Sequence, residues 1–259
     1  MTHYIMARLQ QRSLGRHGDS SYPDDAYLSY HDVRLTWGDI ESLRDDWLTD
    51  NVISFWEEYL EHEYLMKSDR TNIILLRPSM SFMLLQTPDP RTVREALPDF
   101  SKTTHVFLPV NDCRNVLQAE GGTHWSLLLV SIVDEVAFHY DSLPPGNQEE
   151  AYQITRKLSI LLNKPIRFVQ LNDSPVQENG SDCGVFVCLN MRYLLLKRLL
   201  IATGKEKVSM SLAGKKVDAS AGRREILKII EGFRKEGVKR RSMSTSPAGR
   251  KSRSPPRIE

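Results

Sequence analysis

The spacing of apolar positions changes character several times along the 259 residues. Over YLSYHDVRLT (27–36) apolar and polar residues alternate on either side of His31-Asp32, a turn-forming pair. This predicts a small β-hairpin, followed by a break at Trp37-Gly38. In TDNVISFWEEYLEHEYLM, Val52, Ile53, Trp56, Tyr59 and Leu60 recur at helical spacing behind Thr49 or Asp50, either of which suits an N-cap. NIILL, HVFLPV, HWSLLLVSI and VAFHYDS are short, rich in β-branched and aromatic residues, and bounded by Gly, Pro, Asn or Asp. They read as strands, and PIRFVQ adds a fifth. PSMSFMLLQ and DPRTVREAL carry Pro in the first turn and predict short helices. NQEEAYQITRKLSILLN, with Glu149 and Glu150 early and Lys157 later, predicts a longer one. A last apolar helix opens behind Ser181 or Asp182. Strands and helices are segregated enough to predict an α+β fold.

The ends follow different rules. Residues 1–25 are polar and unpatterned, which predicts a flexible extension ahead of a main domain at 26–203. From 204 to 238 a small, polar linker leads into one amphipathic helix, RREILKIIEGFRKEG, and residues 239–259 predict a disordered, basic Ser/Arg/Pro tail. Lys239-Arg240-Arg241 in that tail has the character of a nuclear localisation signal, and Ser246 and Ser254 precede prolines.

A composition of 40% hydrophobic and 26% charged residues is that of an ordinary globular protein, and the formal net charge of +2 hides a division. Residues 1–204 hold 19 basic and 27 acidic side chains, so the body is acidic and disfavours nucleic acid as a partner. The most apolar region, VFVCLNMRYLLLKRLLIA, contains Arg192, Lys197 and Arg198, which excludes it as a membrane span. The start has no apolar core of signal-peptide length, because Arg8, Arg12 and Arg16 interrupt it. Three cysteines, Cys113, Cys183 and Cys188, cannot all pair, and they form no metal knuckle. A reducing compartment, cytoplasmic or nuclear, is expected.

In QENGSDCGVFVC (177–188) a polar loop meets an apolar helical start with Cys183 at the junction. A nucleophilic cysteine needs a base and a positive potential that favours the thiolate; a helix N-terminus supplies the second. Its free N–H groups are also placed to hold an oxyanion. The base should be a histidine oriented by a carboxylate. His124 enters a strand after two glycines, and Asp141 ends the next strand; a short turn between neighbouring strands allows the two, 17 positions apart, to meet across the sheet without requiring it. His139, two residues before Asp141 on the same strand, is the rival base. Cys188 has the position of a core residue and Cys113 that of a loop residue. Taken alone, a cysteine at a helix start is more often structural than catalytic.

FLPVND, GGTHWSLLLVSI, FHYDS and QENGSDCGVFVC, preceded by LSYHDVRLTWGDIESLRDDWLTDNVISFWEEYL, resemble the Ulp/SENP cysteine proteases, and within them the deneddylase branch. The resemblance runs from about Tyr27 to about Leu200 and rests on the order of W-L-x-D, G-G-T-H-W-S-L-L, H-Y-D-S and Q-x-x-x-x-D-C-G. It implies a papain-like fold, a mixed central sheet flanked by helices with the nucleophile at a helix N-terminus. It further implies His124 as general base, Asp141 as its orienting group, Cys183 as nucleophile and Gln177 as a side-chain oxyanion donor. Trp125 would roof a tunnel for a Gly-Gly tail, which Trp47 and Asp50 would grip; Thr49 stands where the family often has Asn. The implied activity is a cysteine isopeptidase, independent of metal or cofactor, cleaving after the Gly-Gly of a Nedd-type modifier carried by proteins such as cullins. The alternatives are a SUMO- or ubiquitin-directed enzyme of the same fold, a cysteine acyltransferase, and a catalytically silent modifier-binding adaptor.

Overall fold

The computed structural model describes residues 22–68, 72–115, 121–202, 208–244 and 254–259. The hairpin forms as expected: β1 (Ala26–Tyr30) pairs antiparallel with β2 (Val33–Thr36) around His31-Asp32, and His31 takes the left-handed conformation at φ 45°. The expected break at Trp37-Gly38 is instead the start of a helix, α1 (Trp37–Asp45). Thr36 explains it: its hydroxyl accepts from the Asp39 N–H, while the Asp39 carboxylate accepts from the Thr36 N–H, a reciprocal cap. Thr49 then caps α2 (Asp50–Leu60), accepting from the Val52 N–H, and a π-helical turn carries the chain on to Leu65.

The centre is a five-stranded mixed sheet in the order β3 (Ile73–Leu75), β4 (His105–Asn111), β5 (Trp125–Ser131), β6 (Val136–Tyr140), β7 (Arg167–Gln170). The outer pairs are parallel and the inner pairs antiparallel. Its strands bury both faces, and the period of two sorts their side chains into two cores. Leu127 and Leu129 face a core shared with α2 and α5 (Cys183–Leu194). Leu128 and Val130 face a second, covered by α3 (Pro78–Gln86) and α4 (Gln148–Leu162). DPRTVREAL winds as a tighter 3-10 helix, Pro90–Ala96. Among the described residues no helix is long and apolar enough to cross a membrane.

The C-terminal region departs from the sequence expectation. The amphipathic helix is α6 (Ala219–Ser244), which runs past residue 239, and it is not solitary: Ile226 and Ile230 are fully buried against the α2/α5 core. The segment expected to be a linker also packs, with Met210 and Leu212 buried and the Tyr140 hydroxyl donating to the Met210 carbonyl (2.8 Å). The expected disordered tail is corrected at Arg257–Ile258, which form β8, parallel to β1 in the order β2-β1-β8. Low-complexity composition conceals such a strand, because its hydrogen bonds come from a distant edge. The Ser29 and His31 N–H groups donate to the Pro256 and Ile258 carbonyls at 2.9 and 2.8 Å, and Ile258 fills the core. Residues 1–21 of the expected N-terminal extension, and Ser246, lie outside the described residues.

Ile258→Ala should lower the unfolding free energy by about 2 kcal/mol, read from urea melts, because it empties a buried site on an edge strand. An unchanged melting midpoint would show that β8 adds nothing to the fold.

Candidate active site

Cys183 is the first residue of α5 and is 1% exposed. At that position its N–H has no intrahelical acceptor, and it makes no hydrogen bond among the described residues. The loop before it is shaped by Asn179, whose Oδ1 accepts from the Ser181 and Asp182 N–H groups, both at 3.0 Å. Gly184 is dictated by packing: a Cβ there would lie 2.8 Å from the Cβ of Leu48, so the WLTD turn sits directly on the start of the helix. The same turn is held by two indoles. Trp125 Nε1 donates to the Leu48 carbonyl (3.1 Å), and Trp47 Nε1 donates to the Gly180 carbonyl in the loop before Cys183. Asp50 opens α2 beside them and is exposed.

The β5/β6 register pairs Leu127 with Tyr140, which puts His124 and Asp141 at the same end of the sheet. His124 Nε2 meets Asp141 Oδ1 at 2.6 Å with both groups buried, which leaves Nδ1 as the other ring nitrogen; Cys183 lies near enough to act on the charge of the ring. Burial works against the imidazolium, but the hydrogen bonds and charges of Asp141 and Cys183 outweigh it and raise the His124 pKa to about 9. Burial likewise opposes the Asp141 carboxylate, yet His124 and the Leu143 N–H (2.8 Å) hold its pKa below the usual carboxylate range.

Three residues that the sequence did not single out fix this pair. Asp112 accepts from the N–H groups of Thr123 (2.6 Å) and His124 (3.0 Å) and clamps the turn into β5. Asn147 donates through Nδ2 to the carbonyls of Val110 (2.9 Å) and His124 (3.2 Å), and through its N–H to Asp141 Oδ2 (3.2 Å). Gly146 lies beneath the pair, where a Cβ would sit 2.5 Å from Asp141 Oδ2 and 2.6 Å from His124 Cδ2. Asp112 closes the FLPVND motif, while Gly146 and Asn147 lie in the turn-rich segment LPPGN.

Gln177 is brought alongside by its N–H, which donates to the Ser142 carbonyl (2.9 Å). Ser142 Oγ donates to Gln177 Oε1 (2.7 Å), so the amide orientation is set. Nε2 donates one hydrogen to the Asn179 carbonyl (2.6 Å) and keeps the second for an incoming group. The structure therefore gathers His124, Asp141, Gln177 and Cys183 at one place. It separates the rival His139, which is fully buried and hydrogen-bonded to Gln170 (2.6 Å) and Ser126 (2.8 Å), and whose pKa burial lowers. Cys188 is buried and burial pushes its thiol pKa up, as befits a core residue; Cys113 is buried as well.

One set of metal-ligand types occurs among the described residues, His31, Glu58 and His62, remote from this centre in sequence and hydrogen bonding. The two imidazoles are stacked with centroids 3.4 Å apart and planes 2° from parallel. An ion must lie in the plane of each ring that binds it, so these rings cannot share one as they stand. Glu58 is engaged by His62 (3.2 Å) and Arg77.

A buried thiol at a helix N-terminus, facing a histidine–aspartate pair with a carboxamide six residues upstream, defines a cysteine-hydrolase type of centre. The chain belongs to the Ulp1 protease family: the family model of the C-terminal catalytic domain matches residues 46–201. It is 36% identical over 209 residues to NEDD8-specific protease 2 of Schizosaccharomyces pombe, a match covering 79% of this chain and 50% of that relative. It is also 36% identical over 179 residues to NEDD8-specific protease 1 of Arabidopsis thaliana, covering 66% and 76%. The chain thus spans about half the length of the fission-yeast relative. The crystal structure of the C-terminal Ulp1 protease domain in complex with Smt3, the yeast ortholog of SUMO, shares the fold. Its TM-score is 0.59 at 19% identity, over 86% of this chain and 92% of that one.

An NMR titration of the His124 ring should show a midpoint near 9 in the wild type. Asp141→Asn should move it down towards the ordinary value of about 6.5, and Gly146→Ala in the same direction by forcing the pair apart. A midpoint unmoved by Asp141→Asn would refute the assigned cause. The sign extends to stability: His124 contributes fully below about pH 6.5 and loses its contribution as pH rises through about 9. Asp141, with a depressed pKa, contributes above its unfolded value and loses on acidification.

Proposed function

We propose that this chain is a cysteine isopeptidase that cleaves after the C-terminal Gly-Gly of a ubiquitin-like modifier of the NEDD8 type, releasing it from conjugates such as cullins and maturing its precursor. The observation that carries the reading is the hydrogen-bonded pair of His124 and Asp141 beside Cys183 and Gln177, in a chain 36% identical to two proteases named NEDD8-specific.

The Cys183 thiolate attacks the carbonyl carbon of the terminal glycine. The negative charge that forms on the carbonyl oxygen is met by the free hydrogen of Gln177 Nε2 and by the Cys183 N–H. As the tetrahedral intermediate collapses, the imidazolium of His124 protonates the departing lysine amine and a thioester remains. Water, losing its proton to the now neutral His124, attacks the thioester and returns the thiolate to its starting state. Asp141 stays ionised throughout and holds the ring.

Selectivity for glycine follows from access. Cys183 is 1% exposed and the indoles of Trp47 and Trp125 brace the turn packed against it, a confined surrounding that favours a residue without a side chain. Trp47 and Asp50 at the WLTD turn then grip the extended tail. The free cysteines suit a reducing compartment, cytoplasm or nucleus.

Vinyl-ended probes of NEDD8, SUMO and ubiquitin separate the readings. Rapid labelling by the NEDD8 probe alone, absent in Cys183→Ala, is expected. Preferential SUMO or ubiquitin labelling would reassign the substrate, and no labelling would reject the peptidase reading. With the NEDD8 substrate, the alkaline limb of kcat/KM should fall at about pH 9, where His124 loses the proton it must donate.

A further inference from the structure

Arg223 is 6% exposed and lies on α6, beyond the family-matched span of residues 46–201. Its guanidinium does not point at solvent or along its own helix. Nε donates to Asp182 Oδ1 (2.8 Å), one terminal nitrogen to the Ser181 carbonyl (3.0 Å), and the other to the Ser42 carbonyl near the end of α1 (3.0 Å). Ser181 and Asp182 are the two residues that lead into Cys183. One planar group with fixed donor directions therefore ties the nucleophile loop to α1 and α6 together, a task for which a flexible ammonium is poorly suited.

The surrounding contacts deliver Arg223 accurately. Beside it, Gly222 packs so closely on α5 that a Cβ would sit 2.7 Å from Leu189 Cδ1 and 3.0 Å from Val185 Cγ1. Ile226 and Ile230 are fully buried one and two turns further on. On the other side of the loop, Asp182 Oδ2 accepts from Asn179 Nδ2 (2.8 Å), and the Asn179 carbonyl accepts from Gln177 Nε2. The chain of hydrogen bonds from Arg223 thus reaches both positions that would hold the oxyanion, the Cys183 N–H through the adjacent Asp182 and the Gln177 amide through Asn179.

We propose that Arg223 is a positioning residue of the catalytic centre, and that the C-terminal helix, through this one side chain, is a required part of the active site. The inference rests on the peptidase reading for its turnover arm, and on Cys183 reactivity alone for its other arm. Arg223 does not touch the reacting atoms; it fixes the loop on which two of them are mounted. A misplacement of about 1 Å at such a loop costs on the order of 100-fold in rate.

The experiment compares wild type with Arg223→Ala, Arg223→Lys, Asp182→Asn and Glu225→Gln. The last breaks the α5–α6 ion pair to Arg192 (2.5 and 2.9 Å) without touching the loop. Turnover of a fluorogenic NEDD8 substrate gives kcat and KM, alkylation by iodoacetamide across pH gives Cys183 reactivity against a Cys183→Ala baseline, and near-UV circular dichroism reports folding. Arg223→Ala should lower kcat at least about tenfold with KM within threefold, and should alter the pH profile of alkylation. Arg223→Lys should recover only part, and Glu225→Gln should match wild type. A folded Arg223→Ala enzyme with wild-type kcat and alkylation profile overturns the proposal. If Arg223→Ala does not fold, wild-type kcat in both Arg223→Lys and Asp182→Asn overturns it instead. A wild type inert to every modifier probe fails the peptidase reading, while the alkylation profiles still decide the clamp.

Discussion

The half of the molecule that carries the candidate site is organised around one contact, the 2.6 Å hydrogen bond between His124 and Asp141. Both groups are buried, and a charge taken from water is tolerable only when it is paired and its remaining polar atoms are satisfied. The surroundings supply those partners. The Leu143 and Asn147 N–H groups share the Asp141 carboxylate, the Asn147 side chain ties down the backbone of His124, and Gly146 leaves room for the ring to approach. Asp141 and Cys183 together outweigh the cost of burial and raise the His124 pKa to about 9, so the thiol meets a positive charge at neutral pH. The sheet, in turn, has to deliver two residues seventeen positions apart to one edge, and the antiparallel β5/β6 pair does this through its register.

The Cys183 side of the site is built on a different principle, close backbone packing. Gly184 against Leu48 and Gly222 against α5 are positions where a methyl group would collide, and they press the WLTD turn and α6 onto the first and second turns of α5. The indole N–H groups of Trp47 and Trp125 then spend their hydrogen-bonding capacity on main-chain carbonyls of the same region. A loop fixed from several directions presents Cys183 with little freedom, which is the preorganisation that acyl transfer chemistry requires.

Strand and helix periodicity was readable where side chains alternate or repeat against a core. The five sheet strands, α2, α4 and α5 all follow the apolar spacing of the chain, and the candidate Cys, His, Asp and Gln stand on element ends that this spacing marks. What was hidden depends on partners remote in sequence. The helix at Trp37 relies on a reciprocal cap between Thr36 and Asp39 that overrides an apparent break. β8 has two paired residues and a composition typical of disorder; its order comes from the free edge of β1 and a hole filled by Ile258. Asp112, Asn147 and Arg223 look like surface polar residues in a linear reading. They matter because they satisfy buried backbone groups, a property that no local pattern encodes.

The Ser42 carbonyl and the Arg223 guanidinium that it receives are separated by 181 positions. Contacts of such span close late, because most of the chain must already be organised before they repay the entropy of loop closure. During synthesis, which proceeds from the N-terminus, the chain exposes its thiol, histidine and aspartate well before the residues that complete the mounting of that thiol have left the ribosome. The growing chain is therefore without this fastening until Arg223, forty positions beyond Cys183, has been made.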